Sequence, residues 1–293
     1  MSEPKVWRHA HGELAIDRPI VLGILNVTPD SFSDGGDFVT VDEATARAIA
    51  MVAEGADAID VGGESTRPQG ATLVDADEEL RRVIPVIRAV RRALPHTPLS
   101  VDTTKSVVAE LALAEGAGIV NDVSGFRFDP RMGDVCAKGG AGVILMHSRG
   151  GVADMATYSH ASYDSVVDEV VAELNHWVTA ALGTGVSAES IVVDPGIGFA
   201  KRNEHSLTLI AGLSRIVDMG YPVMIGASRK RFIGELTGER VAAARVIGTV
   251  AINVSALERG ARLFRVHDVK QNRQALDVAW AVLTAAMPVE RSA

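Results

Sequence analysis

Short runs of β-branched and aliphatic residues recur along the chain. Each is followed by a longer, Ala-rich segment with apolar residues at i, i+3 and i+4. The runs are Ile20–Leu25, Ala58–Val61, Pro98–Val101, Gly118–Val120, Gly142–Met146, Ile191–Val193, Pro222–Ile225 and Leu263–Val266. Between them lie the helical segments Asp42–Glu54, Asp77–Ala93, Lys105–Glu115, Pro130–Lys138, Tyr163–Ala181, Asn203–Asp218, Val241–Arg259 and Val269–Ala286. Strict alternation of strand and helix predicts a parallel sheet, and eight strands is the number that closes such a sheet into a (β/α)8 barrel. An open doubly wound sheet is the alternative, but no GxGxxG follows the first strand. Gly55, Gly116, Gly183, Gly220 and Gly260 follow helical segments and are expected to be left-handed caps. Val6–Ile16, with His-Gly at its centre, reads as a small hairpin plugging the barrel bottom.

Length and composition suit this fold. The chain has 293 residues, and a barrel of this type typically needs about 250. One domain over 1–293 is therefore expected, with an N-terminal extension over 1–17 and a flexible tail over 288–293. With 47% hydrophobic and only 4% aromatic residues, the core must be built from Val, Ile, Leu and Ala, as strands covered on both faces require. A net charge of −8 argues against nucleic acid or a membrane surface as partner, so any bound anion needs locally placed cations. Cys136 is the only cysteine, which excludes an internal disulfide and a thiolate metal cluster. The N-terminus lacks an apolar core of signal-peptide length, and the longest apolar stretch, near Val241 to Leu257, is interrupted by Arg245. A cytoplasmic location is expected.

The polar residues are informative by position. Directly after the runs come Asn26, Gly62-Gly63-Glu64, Asp102, Asn121-Asp122, His147, Asp194, Ser228-Arg229-Lys230 and Arg265-Val266-His267. In a barrel these positions converge on the C-terminal face, where the catalytic groups of the fold sit. Taken singly, each has a plainer reading: Asn26 as a turn cap, Asp102 as a helix cap, Asp194-Pro195-Gly196 as a turn. Their recurrence after every strand favours a site.

Seven segments carry a family resemblance: GILNVTPDSFSDGG (Gly23–Gly36), DVGGESTRP (Asp60–Pro68), SVDTTK (Ser100–Lys105), NDVSG (Asn121–Gly125), DPGIGF (Asp194–Phe199), SRKRF (Ser228–Phe232) and RVHDV (Arg265–Val269). From about residue 20 to 285 the chain resembles the dihydropteroate synthases. The resemblance implies a transferase of folate biosynthesis that joins 4-aminobenzoate to 6-hydroxymethyl-7,8-dihydropterin diphosphate, releasing diphosphate. It implies that Asp102, Asn121, Asp194, Lys230 and Met146 bind the pterin, with Asp194 taking two ring N–H donors. It gives Asn26, Arg265 and His267 to the diphosphate, with Asn26 as a ligand to Mg²⁺, an ion that prefers oxygen and keeps several waters. Phe32, Thr66, Arg67, Phe199 and Arg231 would shape the aminobenzoate pocket, and Asp34 would lie near the pterin cation or the amine. Asp34, Lys230, Arg265 and His267 are thus the expected catalytic set. An aromatic amine is already neutral at pH 7, so the implied mechanism is dissociative and rests on electrostatic stabilisation and positioning. The resemblance further implies a sulfonamide target and a homodimer formed through late helices, as is usual in the family.

Three departures from the family pattern stand out: Gln69 within STRPQG, Ala200 in place of glycine in DPGIGFAK, and Ser148 in MHSRGG. Gln69 either alters how the pocket separates aminobenzoate from sulfonamides or is a neutral change in loop length. Three other readings compete with this one: a methyltetrahydrofolate-binding methyltransferase, which needs no diphosphate ligands; a pterin-binding homologue without turnover; and a Schiff-base barrel using Lys230. The last is disfavoured by Arg229 and Arg231 on either side of the lysine.

Overall fold

The structure is a computed structural model that describes residues 6–28, 40–64 and 74–285. Eight parallel strands form the barrel: β3 (Ile20–Asn26), β4 (Ala58–Gly62), β5 (Leu99–Asp102), β6 (Ile119–Asp122), β7 (Gly142–Met146), β8 (Ile191–Asp194), β9 (Met224–Ile225) and β10 (Leu263–Val266). They pair in sequence order, with β10 beside β3, and a single parallel bridge between Val193 and Val223 closes β8 onto β9. The fold expected from the alternation is therefore the one found. β9 ends where expected but begins two residues late, because Val223 joins the sheet only through the isolated bridge to Val193.

Helices α1 (Val41–Ala53), α2 (Ala76–Ala93), α3 (Ser106–Ala114), α4 (Met132–Gly139) and α5 (Val166–Gly183) follow the expected segments with ends moved by a few residues. Local signals explain the starts. Thr40 and Glu43 form a reciprocal capping box on α1, and Asp75 caps α2 ahead of three acidic residues. Gly183 ends α5 inside the helix and Gly185, with φ 97, is the left-handed residue instead. The single segment expected over Asn203–Asp218 breaks at Gly212 into α6 (Asn203–Ala211) and α7 (Ser214–Val217). A short helix not in the expected set, α8 (Arg231–Thr237), precedes α9 (Val246–Glu258), whose expected first turn is a 3-10 turn over Ala242–Arg245. The last helix is α10 (Val269–Ala285).

The hairpin is present as β1 (Val6–His9) paired antiparallel to β2 (Gly12–Ala15). Trp7 from β1 is fully buried with Ile20, Leu22, Ile119, Ile144, Val192 and Leu263, the inward residues at the strand starts. Its indole Nε1 donates to the Ser190 carbonyl at 2.9 Å, so the plug is both apolar and hydrogen-bonded. A second core layer of Val, Ile, Leu and Ala fills the space between strands and helices. Among the described residues no single helix is long and apolar enough to cross a membrane.

Candidate active site

Side chains alternate across each strand, so the inward residues form layers inside the barrel. Below, those layers are aliphatic; above, they turn polar, with Asp60 on β4, Ser100 and Asp102 on β5, Asn121 on β6, Asp194 on β8 and Arg265 on β10. Asn26 ends β3 and Met146 ends β7. The same alternation divides the polar strand ends into two sets. Asn121 faces in, while Asp122 faces the loop beyond it and accepts from the backbone N–H groups of Ser124 at 2.7 Å and Phe126 at 3.1 Å. Met146 faces in, while His147 is fully buried behind the barrel. Its Nδ1 lies 2.8 Å from Lys201 Nζ, its Nε2 lies 3.0 Å from Glu173, and its ring stacks on Trp177. Burial, reinforced by the Lys201 charge, lowers the His147 pKa to about 3, so the imidazole is a neutral strut.

Arg265 sits at the centre of the inward polar layer. Its Nε reaches Asp60 Oδ2 at 2.5 Å and its Nη2 reaches Asp102 Oδ2 at 2.6 Å. Asn121 Nδ2 donates to the same Asp60 oxygen at 3.0 Å. Burial works against the Arg265 charge, but Asp60 and Asp102 outweigh it and hold the guanidinium above its ordinary range. For Asp102, burial wins over the pull of Arg265, with repulsion from Asp60 added, and its pKa rises well above the usual carboxylate range. Asp194 is also pushed up by burial, against the pull of Lys230. Its Oδ1 accepts from the Gly196 N–H at 2.7 Å. At Gly196, φ is +66 and a Cβ would stand 1.8 Å from the His147 carbonyl oxygen, so only glycine lets this loop fold against the strand end.

Lys230 precedes α8 and reaches back into the pocket. Its Nζ donates to the Ile197 carbonyl and lies 4.2 Å from the centre of the Phe199 ring. Burial lowers its pKa to about 7, with Asp194 pulling upward and Arg265 pushing further down. Lys201 Nζ donates to the Phe199 carbonyl at 3.0 Å, so two lysines fasten the loop that carries this ring. On the opposite side, His267 Nδ1 and Ser228 Oγ are 3.0 Å apart, and Ser228 Oγ also accepts from the His267 backbone at 3.1 Å.

The structure thus gathers Asp102, Asn121, Asp194, Lys230, Phe199 and Arg265 at the C-terminal end of the barrel, with Asn26, Met146 and His267 at or just beyond the ends of their strands. Arg265 is engaged by Asp60 and by Asp102, one of the expected pterin ligands. Arg231 points elsewhere: its guanidinium lies 4.1 Å from the Tyr158 ring and pairs with Glu235 at 3.4 Å. Phe32, Asp34, Thr66, Arg67 and Gln69 lie outside the described residues. Two features were not anticipated. Asp60 was within reach of sequence reasoning, as a carboxylate in the middle of an apolar run at an inward position. The Lys201–His147–Glu173 strut was not, because its members lie far apart in sequence.

Comparison with known proteins agrees with this geometry. Residues 22–267 match the family model described as pterin binding enzyme. A dihydropteroate synthase of Mycobacterium leprae is 44% identical over 92% of this chain and 96% of its own length. One from Bacillus subtilis is 42% identical, covering 87% of this chain and 85% of the relative. The solved Xanthomonas albilineans dihydropteroate synthase with 4-aminobenzoic acid superposes with a TM-score of 0.89 at 45% identity, over 97% of this chain and 100% of that one. The chain belongs to the pterin-binding enzymes, a family of barrel proteins. Within that family it falls among the dihydropteroate synthases, which are transferases.

Proposed function

We propose that this chain condenses 6-hydroxymethyl-7,8-dihydropterin diphosphate with 4-aminobenzoate to give 7,8-dihydropteroate and diphosphate. The observation that carries this is the ring of inward, buried acceptors, Asp102, Asn121 and Asp194, closed by Lys230. A pterin edge presents adjacent N–H donors and a carbonyl, which such a set complements. A ring lacking those donors would leave the buried Asn121 oxygen unpaired, at a cost of about 1–3 kcal/mol. The solved Xanthomonas albilineans relative in complex with 7,8-dihydropteroate, 44% identical with a TM-score of 0.85, supports the assignment.

Each residue then has a task. Asp194 and Asp102 bind ring donors, and Lys230 donates to the ring carbonyl side. Phe199, held by Lys201 and Lys230, offers an apolar face to the aminobenzoate ring. His267, oriented by Ser228, and Arg265 donate to the diphosphate as its bond to the pterin methylene breaks. The amine nitrogen then attacks that carbon and loses its proton. Phe32, Asp34, Thr66 and Arg67 belong to the aminobenzoate end of this proposal, whereas Arg231, engaged with Tyr158 and Glu235, is left out of it.

Mg²⁺ fits the residues present. The Asn26 oxygen lies 3.7 Å from the point a Gly62 Cβ would occupy, and an Asp102 oxygen lies 3.7 Å from that point too. Among the described residues no cluster of three or more His, Cys, Asp or Glu forms a cage. A hard ion of this kind takes oxygen ligands and usually keeps several waters, so one protein oxygen and phosphate oxygens can complete its shell. Asn26 would hold it, and it would supply neutralisation of the diphosphate charge.

The proposal includes a homodimer. Val246, Ile247 and Val250 on α9 line an apolar groove with Ala275, Val278 and Gln271 on α10. Ile247 is 81% exposed and Val278 63%, an apolar surface of the kind that subunits cover. A cytoplasmic location belongs to the same reading.

Mixing the purified protein with the dihydropterin diphosphate, 4-aminobenzoate and Mg²⁺ tests the reaction directly. Diphosphate release dependent on aminobenzoate is expected; release no faster than in the enzyme-free control leaves only a pterin-binding homologue.

A further inference from the structure

Asp60 has no place in the reaction scheme above, yet it occupies the centre of the polar layer. It is fully buried on β4, and its Oδ2 accepts from two donors on opposite sides of the barrel, Arg265 Nε at 2.5 Å and Asn121 Nδ2 at 3.0 Å. A carboxylate paired with a guanidinium only accepts hydrogen bonds. The Asn121 amide therefore cannot present its oxygen to Asp60, and one of the two N–H donors of its NH₂ group is committed there. With the nitrogen fixed on that side, Asn121 Oδ1 is turned the other way, and it is buried with no partner among the described residues. An unpaired buried carbonyl is a standing demand for an N–H donor. Asn121 lies in register with Asp102 on the neighbouring strand, so its oxygen joins the acceptors of the same layer.

Without Asp60, Asn121 would be ambidextrous. An amide turned over by 180° offers donors where it had offered an acceptor, and it would then suit a ring carbonyl as well as a ring N–H. The remaining neighbours do not set its orientation: its register partners are Asp102 on β5 and Ile144 on β7, and neither has a hydrogen bond to the amide.

We propose that Asp60 is a positioning residue that determines specificity: by fixing the Asn121 amide with its oxygen uncommitted, it makes this wall of the pocket read ring N–H donors and reject ring carbonyls. It acts through Asn121 and touches no substrate. The inference rests on a pterin being the ligand, and its test separates the two. The probes are 6-hydroxymethylpterin and the corresponding lumazine, in which a carbonyl replaces the 2-amino group, each titrated into the full-length protein. Failure of the pterin to bind the unaltered protein at all would overturn the pterin reading, and Asp60 with it.

If the pterin binds, the ratio of the two affinities is the readout. Asp60→Ala frees the amide, and the preference for pterin over lumazine is expected to fall at least about tenfold, on the scale by which polar sites reject mismatched analogues. Asp60→Asn keeps a carbonyl oxygen toward Arg265 and Asn121, so it should weaken both ligands while retaining most of the preference. A merely structural role would weaken both probes alike in Asp60→Ala, and an unchanged ratio there overturns the proposal. So does a loss of preference in Asp60→Asn as large as in Asp60→Ala. Should Asp60→Ala fail to fold, the unaltered protein still decides. With asparagine labelled selectively with ¹⁵N, the Asn121 side-chain protons should exchange slowly with solvent, and exchange as fast as in a free amide contradicts the fixed orientation.

Discussion

Lys230 is the residue whose charge is most delicately placed. In the free pocket its ammonium is stable only below about pH 7, because burial penalises the charged form more than Asp194 supports it. Pterin affinity should therefore decline as pH rises through about 7, where the ammonium is lost. Lys230→Arg keeps its charge throughout, so titrations from pH 6 to 9 should show the decline in the unaltered protein and not in the variant. Equal profiles would remove Lys230 from the ring-binding set. A second prediction concerns Ala200, which is fully buried at φ 47, in the left-handed region. Replacing it by glycine, the residue usual in the family, should relieve strain and raise stability by roughly 0.5–1 kcal/mol, net of the added freedom of the unfolded chain. A urea midpoint that is unchanged or lowered would show that the Ala200 methyl packs well enough to offset the backbone cost.

At the scale of elements, strands and their order were legible because a parallel barrel strand is a short aliphatic run bounded by polar residues. Tyr163–Ala181 already approximated α5 (Val166–Gly183). What escaped was set by tertiary contacts. α8 is one short turn-rich segment whose periodicity is too brief to read, and the break at Gly212 follows from its packing under Val167. Facing directions were only partly legible: His147 and Asp122 look like site residues in sequence, and strand alternation turns both away from the pocket. The hairpin is an element with a measurable job. Trp7→Ala should cost about 3–5 kcal/mol by opening a cavity in the barrel floor while leaving turnover per folded molecule nearly unchanged, since the floor is a full layer below Asp60 and Asp102. A small loss of stability would mean the plug is dispensable. Gln69 lies outside the described residues; if it tunes drug discrimination, its deletion should change the ratio of aminobenzoate KM to sulfonamide Ki, and a constant ratio leaves it a neutral insertion.

For the whole molecule, the proposed diphosphate site is compatible with a net charge of −8 because it supplies a local cation, Arg265, held inside the barrel by Asp60 and Asp102. The barrel was readable from alternation alone, whereas the ligand was not: polar strand ends define a face, and the family's motifs supply the pterin. The groove between α9 and α10 predicts association, so Ile247→Asp should yield a monomer by light scattering if that face is the interface. An unaltered dimer would place the interface elsewhere. The central claim, that the acceptors on the inner C-terminal face bind a pterin, is tested most directly by titrating 6-hydroxymethylpterin into the unaltered protein and into Asp194→Asn. Loss of a buried charged acceptor predicts affinity weaker by about a hundredfold or more, corresponding to roughly 3 kcal/mol, with the circular dichroism spectrum unchanged. Equal affinity in the two proteins would contradict the account.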